Sequence, residues 1–259
     1  MIEIYKKLPK TNCGKCGVST CMAFAQKVKK AEAILSDCPF IDKDIVREKQ
    51  TSTSTDIFSN YEQVSDDLEK KATVVDFRET AEAIGGLYES NNGSDVISLR
   101  MINTFYELRR EGLFKDNVYC PDPWTKIIIY DYVRRKGVSP LTGDWITLGH
   151  FPNTASHVKA FQKNAEQKIA DTFKNNLPGL KNQCLRLGGV EADSKAKSDY
   201  FCSITLLPLV PLYLSFWTAD EEFGAECKLL FDSNAEDHLD IEYLAYLVER
   251  FVEELVGEE

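Results

Sequence analysis

Apolar and polar residues recur along this chain with two different periods, and the two periods occupy different stretches. After His157, apolar residues return at roughly the 3.6-residue spacing of an α-helix, which predicts a helix over residues 157–175. The run LVPLYLSFW at residues 209–217 is rich in aliphatic and aromatic side chains and predicts a strand. Because helices and strands segregate rather than alternate, we expect an α+β fold instead of a doubly wound parallel sheet.

The same two periods predict further elements in the larger part of the chain, which should combine helices with an antiparallel sheet. Helical spacing predicts helices over residues 96–111, 124–136 and 241–255. Extended runs predict strands over residues 184–188, 200–207 and 229–232. Pro208 and Pro211 predict an edge, a bulge or a hairpin turn where the run at residues 200–207 meets the run at residues 209–217. Residues 73–85 fit either a short strand or a helix.

The amino-terminal part of the chain combines a loop with one amphipathic helix. This helix is expected to begin near Cys21, capped by Ser19 or Thr20, and to end near Ser36. The polar stretch EKQTSTSTD at residues 48–56 is the predicted linker, and an ordered loop is the alternative. The predicted organisation is a small module at residues 1–47, the linker at 48–56 and an α+β domain at 57–259.

Four cysteines in the small module carry its chemistry: Cys13, Cys16, Cys21 and Cys38, the last followed by Pro39. Their spacing is Cys-x2-Cys-x4-Cys-x16-Cys-Pro. Four thiolates so close in sequence predict a metal centre, because four is the ligand count of both a cubane iron–sulfur cluster and a structural zinc. Zinc sites usually take two Cys-x2-Cys pairs or Cys/His pairs, whereas this stretch has one pair.

Composition predicts a cytoplasmic protein. Apolar residues make up 43% of the chain, and no apolar run is long enough to predict a membrane span. The first residues lack the apolar stretch of a signal peptide. Because a reducing compartment disfavours disulfides, the four remaining cysteines are predicted to be buried thiols, a second metal site being the alternative; they are Cys120, Cys184, Cys202 and Cys227.

The net charge of −10 is unevenly distributed. Residues 1–50 carry ten Lys or Arg and six Asp or Glu, a balance of +4, whereas the remainder has a balance of −14. The acidic remainder argues against nucleic acid as a partner. Lys7, Lys10 and Lys15 can stabilise an anionic cluster nearby, or they belong to an ordinary solvated surface.

The stretch LPKTNCGKCGVSTCMAFAQKV and the later SDCPF resemble the small [4Fe–4S] domain of the corrinoid iron–sulfur protein large subunit. Similar modules occur in redox subunits of anaerobes. This resemblance implies that Cys13, Cys16, Cys21 and Cys38 each ligate one iron, with a [2Fe–2S] cluster as the alternative. It covers about forty residues of this sequence. The rest resembles a domain of unknown function that follows such modules, on the stretches GDWITLGHFPNTASHVKAF and LPLVPLYLSFWTADEEFGAECKLLFD and on the closing helix, and that resemblance implies no activity.

Four residues of the larger part are candidate cofactor ligands: His157, Trp217, Asp220 and Glu221. The acidic pair follows Trp217 at a predicted strand end, where it can bind a cation or a polar arm of a cofactor, or form a solvated turn. His157 at a helix start can ligate a metal, or it is a structural histidine. Aromatic residues can wall a pocket for a flat ligand or simply fill the core; they are Trp124, Trp145, Trp217, Tyr130, Tyr132 and Tyr213.

Electron transfer is the first functional hypothesis. The cluster would take electrons from a ferredoxin-like donor and pass them to a centre in the second domain or in a redox acceptor protein. A sharper version, by association with the resembling module, makes that acceptor a bound corrinoid (cobalamin). The alternative is a structural or sensory cluster on a protein-interaction domain. No nucleotide-binding or hydrolase motif supports an independent enzyme.

Overall fold

The computed structural model describes residues 5, 8–29, 33, 37–41, 61–91, 93–155, 157–192 and 197–257. The chain divides into two compact units, residues 1–62 and 63–259. The predicted linker at residues 48–56 lies outside the described residues. The predicted domain boundaries therefore stay predictions.

The smaller unit contains helix α1 (Cys21–Lys29), which begins where the sequence predicted. Thr20 caps it, because its Oγ1 accepts a hydrogen bond from the backbone N–H of Ala23 at 3.1 Å. Asn12 adds a second contact, since its Oδ1 accepts from the N–H of Cys21 at 2.8 Å. The predicted helix end near Ser36 lies outside the described residues.

The larger unit contains most of the helices and strands. Helices beyond α1 are α2 (residues 61–72), α3 (Phe77–Ile84), α4 (Pro123–Arg135), α5 (Val158–Phe161), α6 (Lys168–Phe173), α7 (Leu177–Arg186), α8 (Ala235–His238) and α9 (Ile241–Val256). The strands are β1 (Leu87–Asn91), β2 (Ser94–Met101), β3 (Thr104–Arg109), β4 (Gly112–Lys115), β5 (Val118–Tyr119), β6 (Trp145–Ile146), β7 (Val190–Glu191), β8 (Tyr200–Leu207), β9 (Val210–Trp217) and β10 (Glu226–Asp232). These elements confirm the α+β class. No helix among the described residues is long and apolar enough to span a bilayer.

The first sheet is an antiparallel meander in the order β1-β2-β3-β4-β5. The helix predicted over residues 96–111 is wrong, because strands β2 and β3 occupy most of that range. Ile97, Leu99 and Met101 are buried and alternate with more exposed neighbours, as in a strand. Phe105, which helical spacing would place on the same side as Ile97 and Met101, is 65% exposed.

The second sheet is also antiparallel and has the order β6-β10-β9-β8-β7. Strands β8 and β9 confirm the two predicted strands, and a register irregularity between Thr205 and Leu207 precedes the hairpin turn at Pro208. The predicted strand at residues 184–188 is wrong, because α7 occupies most of it. Asn176 starts that helix, and its Oδ1 accepts from the N–H of Gly179 at 2.9 Å.

The predicted helix over residues 157–175 is confirmed, with an irregularity in its middle. Helices α5 and α6 are joined by a π-helical turn, Gln162–Gln167. Four buried apolar residues of this segment recur every four positions, namely Phe161, Ala165, Ile169 and Phe173. Because an α-helix turns once per about 3.6 residues, such a stripe would drift around it, and the wider π turn holds the stripe on one side.

The other predicted helices are also present. Helix α4 starts at Asp122, whose side chain accepts from the N–H of Trp124 and Thr125. Residues 73–85, left open between strand and helix, contain α3, capped by Asp76. Helix α9 buries one stripe that includes Leu244, Phe251 and Leu255, and it contacts α4, α6, α7 and β8. This contact closes the core of the larger unit over one face of the second sheet.

Candidate metal centre

The four clustered cysteines are free thiols with graded exposure. Cys13 is exposed, Cys16 is half-buried, and Cys21 and Cys38 are buried. Cys13 and Cys16 lie in the loop before α1, Cys21 is the first residue of α1, and Cys38 lies in a short turn that closes with the N–H of Ile41 bonded to its carbonyl oxygen at 3.2 Å. Three different local structures therefore present the sulfurs.

The loop before α1 follows an unusual backbone path. Lys10, Asn12, Gly14 and Gly17 all have positive φ, and the N–H of Gly17 donates to the carbonyl oxygen of Gly14 at 3.1 Å. Gly14 and Gly17 adopt these angles without the strain that a side chain would add. Backbone amides in turns of this kind can face an anion, which suits a sulfur-rich cluster.

Apolar side chains surround the two buried sulfurs. Cys21 and Cys38 belong to one buried cluster whose other members are Leu8, Phe24, Ala25 and Ile41. Cys16 and Val18 pack against this cluster. A dry wall of this kind limits solvent access to any bound metal group and thereby influences its potential.

Polar groups act mainly on the exposed sulfur. The backbone N–H of Lys15 and the hydroxyl of Thr11 hydrogen bond to Cys13 and lower the pKa of its thiol, which favours the thiolate. The Lys15 ammonium lies 5.2 Å from the ring centroid of Phe40, and that of Lys10 lies 5.7 Å from that of Tyr5. The third predicted cation, Lys7, lies outside the described residues.

The donor set suits an iron–sulfur cluster, since it consists of four thiols. Two of these thiols are already held in an apolar cluster. Among the described residues, however, no group of three or more His, Cys, Asp or Glu side chains converges as a metal site. The structure places the four sulfurs in one small unit but does not bring them into ligand geometry, so their role as ligands stays a prediction.

The four candidate ligands of the larger unit lie at its surface. His157 is exposed and precedes α5 without capping it. Trp217 is half-buried at the end of β9. Asp220 accepts from the N–H of Glu222 at 2.8 Å and of Phe223 at 2.7 Å, which lowers the pKa of its carboxyl. Glu221 is exposed in the same turn. None of the four lines any of the four cavities described for this unit.

The predicted aromatic wall is divided among separate places. Tyr130 and Tyr132 are fully buried in α4. Trp124 packs on Tyr246 with ring centroids 4.3 Å apart, whereas Trp145 packs on Tyr213 at 3.8 Å. These rings therefore form no single pocket, although the second pair lies on one sheet.

The other four cysteines are buried, as predicted, on different elements of the larger unit: Cys120, Cys184, Cys202 and Cys227. Burial raises the pKa of the Cys227 thiol well above its ordinary value. A thiol with a raised pKa is a poor nucleophile and a poor metal ligand. The Cys202 thiol differs, because a hydrogen bond with Cys184 lowers its pKa.

A cavity of about 540 Å³ between the π turn and β10 was not predicted from the sequence. Glu166 and Lys228 line it, and burial raises the pKa of the Glu166 carboxyl. One signal was present: Glu166 directly follows Ala165 of the apolar stripe in the predicted helix. A charged residue beside such a stripe is usually solvated, whereas this one lies buried in the π turn and bonds to Leu229 of β10.

Comparisons with known proteins match the two parts of the chain separately. Residues 8–40, which include all four clustered cysteines, match a family model described as a putative Fe-S cluster. Residues 76–254 match a family model described as a domain of unknown function, DUF3786. No solved structure matches the chain.

Three curated relatives share the amino-terminal segment. The corrinoid/iron-sulfur protein large subunit of Moorella thermoacetica is 51% identical over 47 residues, which cover 18% of this chain and 10% of that protein. Acetyl-CoA decarbonylase/synthase complex subunits gamma are similar: that of Methanothermobacter thermautotrophicus is 51% identical over 43 residues, 17% of this chain and 9% of its own length. The subunit from Methanocaldococcus jannaschii is 54% identical over 41 residues, 16% of this chain and 8% of its own. The matched segment thus spans about a tenth of each relative.

Proposed function

The chain belongs to the DUF3786 family, and from that premise we propose that it is an iron–sulfur electron-transfer protein whose amino-terminal module holds a [4Fe–4S] cluster. The family description assigns no activity, so the proposal rests on the small module. The observation that carries it is that all four clustered cysteines fall inside the segment matched as a putative Fe-S cluster.

In this proposal, Cys13, Cys16, Cys21 and Cys38 are the ligands. A [4Fe–4S] cluster supplies single-electron transfer at a potential set by charge, amide–sulfur hydrogen bonds and exposure. Cys21 lies in the first turn of α1, where the positive end of the helix dipole favours a thiolate. Asn12 fixes the loop to that turn through its 2.8 Å bond to the N–H of Cys21. The apolar side chains around Cys21 and Cys38 exclude water from one side.

The partners follow from the proposed activity. A ferredoxin-like protein is the electron donor, and the acceptor is a redox protein or a centre held by the larger unit. The similar proteins include a corrinoid/iron-sulfur protein subunit and subunits of the acetyl-CoA decarbonylase/synthase complex, which supports a corrinoid as acceptor or a place in such a complex. The similarity to these proteins covers only the amino-terminal segment. The corrinoid version therefore rests on association, whereas the electron-transfer proposal rests on the cysteine motif itself.

Metal analysis tests the proposed cluster. After anaerobic purification, we expect about four irons and four sulfides per chain, in line with the composition of a cubane cluster. Cys38→Ser should lower the iron content sharply, whereas Cys184→Ser, a matched buried cysteine outside the module, should not. A colourless preparation that contains zinc and no acid-labile sulfide would refute the proposal. Equal iron loss in both variants would show that the ligands are assigned wrongly.

Two further measurements test the role of the cluster. Electron paramagnetic resonance during a redox titration should show reversible one-electron reduction by dithionite or reduced ferredoxin. A cluster that is present but cannot be reduced reversibly would favour the structural or sensory alternative. Mixing the protein with cobalamin should shift the visible spectrum if the acceptor is a corrinoid, and no binding at micromolar concentrations would remove that version alone.

A further inference from the structure

The cavity between the π turn and β10 is built around a charged side chain in an unusual position. Glu166 lies in the π turn, and its side chain is only 8% exposed. Its Oε1 accepts a hydrogen bond from the N–H of Leu229 at 3.1 Å. Burying a carboxyl costs free energy, which this hydrogen bond and an ion pair with Lys228 offset only in part. The cavity therefore contains a carboxyl group that has lost most of its hydration.

The free edge of β10 explains where that acid is held. Strand β10 pairs with β9 from Glu226 to Phe231, but with β6 only at Phe231 and Asp232. Within the part of the chain that the structure describes, the edge before Phe231 thus has no partner strand, and Glu166 satisfies one of its N–H groups. The helix and the strand edge leave a groove between them, and that groove is the cavity.

The charges in the groove do not balance. Lys228 extends its ammonium between two carboxylates, 3.6 Å from Glu166 Oε2 and 3.2 Å from Glu226 Oε1. Two carboxylates and one ammonium leave one negative charge among the charged side chains that line the cavity. The other polar side chains of the lining are uncharged and include the amides of Gln162 and Gln167. A cation of one charge would neutralise this group of side chains.

An exposed aromatic ring lies at the same groove. Phe223 lines the cavity and is 71% exposed, in the turn that Asp220 holds through two backbone N–H groups. Its ring makes no aromatic or cation–π contact within the described residues. Ala170 and Ala225 add apolar lining. The groove thus offers an apolar and aromatic surface next to its negative charge, and such surfaces favour organic cations.

We propose that this cavity binds a small organic cation, an ammonium or amidinium group attached to an apolar or aromatic body. The charged group interacts with Glu166 and Glu226, and the body covers Phe223. The volume of about 540 Å³ is that of an ordinary small-molecule site. Fewer than three metal-binding side chains converge here among the described residues, so the ligand is organic rather than a metal ion. This inference does not rest on the cluster.

Benzamidine is the probe for this site, and benzamide is its uncharged counterpart. The full chain, purified anaerobically, is titrated with each by calorimetry at mildly alkaline pH. Benzamidine should bind in roughly the millimolar range, and benzamide about fivefold more weakly or not at all, as expected for one partly exposed charge interaction. Equal binding of the two compounds, or no binding of benzamidine, overturns the proposal.

Two variants should change benzamidine binding in opposite directions. Glu226→Gln removes the negative excess and should weaken binding about fivefold, whereas Lys228→Met removes the competing ammonium and should strengthen it by a similar factor. Both side chains are partly exposed, so neither change is expected to prevent folding. Glu222→Gln is the matched control, since Glu222 is exposed in the adjacent turn and does not line the cavity. Equal weakening by Glu222→Gln and Glu226→Gln would show general attraction to an acidic protein and refute the assigned site.

Discussion

Tyr132 connects three elements of the larger unit through one phenol group. Its ring is fully buried in α4. The hydroxyl donates to the carbonyl oxygen of Ile84, at the end of α3, at 2.7 Å. It also accepts from the N–H of Leu209, in the turn between β8 and β9, at 3.0 Å. Burial raises the pKa of this phenol, which therefore stays protonated and able to donate.

We predict that Tyr132→Phe destabilises the larger unit by about 2–4 kcal/mol. Each lost hydrogen bond contributes about 1 kcal/mol, and a buried partner left without a bond adds about 1–3 kcal/mol. The carbonyl oxygen of Ile84 is buried with its residue, whereas Leu209 is half-buried and its N–H regains some solvation. The predicted loss of stability is therefore smaller than it would be if both partner groups stayed fully buried and unpaired.

Urea unfolding followed by circular dichroism measures this loss. The matched control is Tyr246→Phe, which removes a hydroxyl whose 3.1 Å bond to Glu242 is exposed to solvent. That variant should cost less than about 0.5 kcal/mol. The predicted role of the two hydrogen bonds is refuted if Tyr132→Phe lowers the free energy of unfolding no more than Tyr246→Phe does, with the slope of that free energy against urea concentration unchanged.

Three further predictions concern other parts of the larger unit. Burial lowers the pKa of His238, which is fully buried, so the unfolded state takes up a proton first as the pH falls below about 6.5, and stability should decrease there. His238→Phe should flatten this pH dependence of the urea midpoint. An unchanged pH dependence in the variant would contradict this role of His238. Gly137→Ala should be far more destabilising than Gly143→Ala. Both glycines have positive φ, but an added Cβ meets a carbonyl oxygen of α3 only at Gly137. Equal decreases in the thermal unfolding temperature of the two variants would refute this prediction. Asn176→Ala should cost about 1 kcal/mol in urea unfolding because α7 loses its cap, and Asn176→Asp should restore most of it.

The match of residues 8–40 to a putative Fe-S cluster family could be predicted from the cysteine motif alone. Metal ligation depends on residue type and spacing, and both are local properties that can be read directly. The start of α1 at Cys21 also followed from local signals, since Thr20 is a good cap. What spacing did not provide is the relation of the sulfurs in space, because that depends on how the loop and the turn at Cys38 pack around Phe24.

The first sheet was missed because its sequence fits both periods. Ile97, Met101 and Leu108 recur at helical intervals, but Ile97, Leu99 and Met101 also alternate, and alternation with buried neighbours describes the structure. The turn between β2 and β3 places Ile102 at positive φ, which an isoleucine seldom adopts and no local pattern predicts. Its N–H donates to the carbonyl oxygen of Leu206 on the second sheet at 2.7 Å. A long-range contact therefore supports a turn that local propensity disfavours.

The groove beside β10 shows why a site in the larger unit could not be predicted from residue types. Its walls come from residues 162–170 and 223–228, which are far apart in sequence. Glu166 is buried in the π turn, and its carboxylate accepts from the N–H of Leu229 at the edge of β10. Each of these conditions is tertiary. The acidic turn at Asp220 was visible in the sequence, but its carboxyl is engaged by its own backbone, whereas the groove lies just after it.

The strongly acidic composition makes the choice of control decisive for the cation proposal. Residues 51–259 carry a net charge of −14, so any cation is attracted to this part of the chain over the whole surface. That attraction acts over about a Debye length and weakens as salt is added. A contact with Glu166, whose side chain is only 8% exposed, is screened less. Raising the ionic strength should therefore reduce the binding of benzamidine while preserving the order Lys228→Met, wild type, Glu226→Gln, and an order that disappears with salt would assign the binding to the surface rather than to the groove.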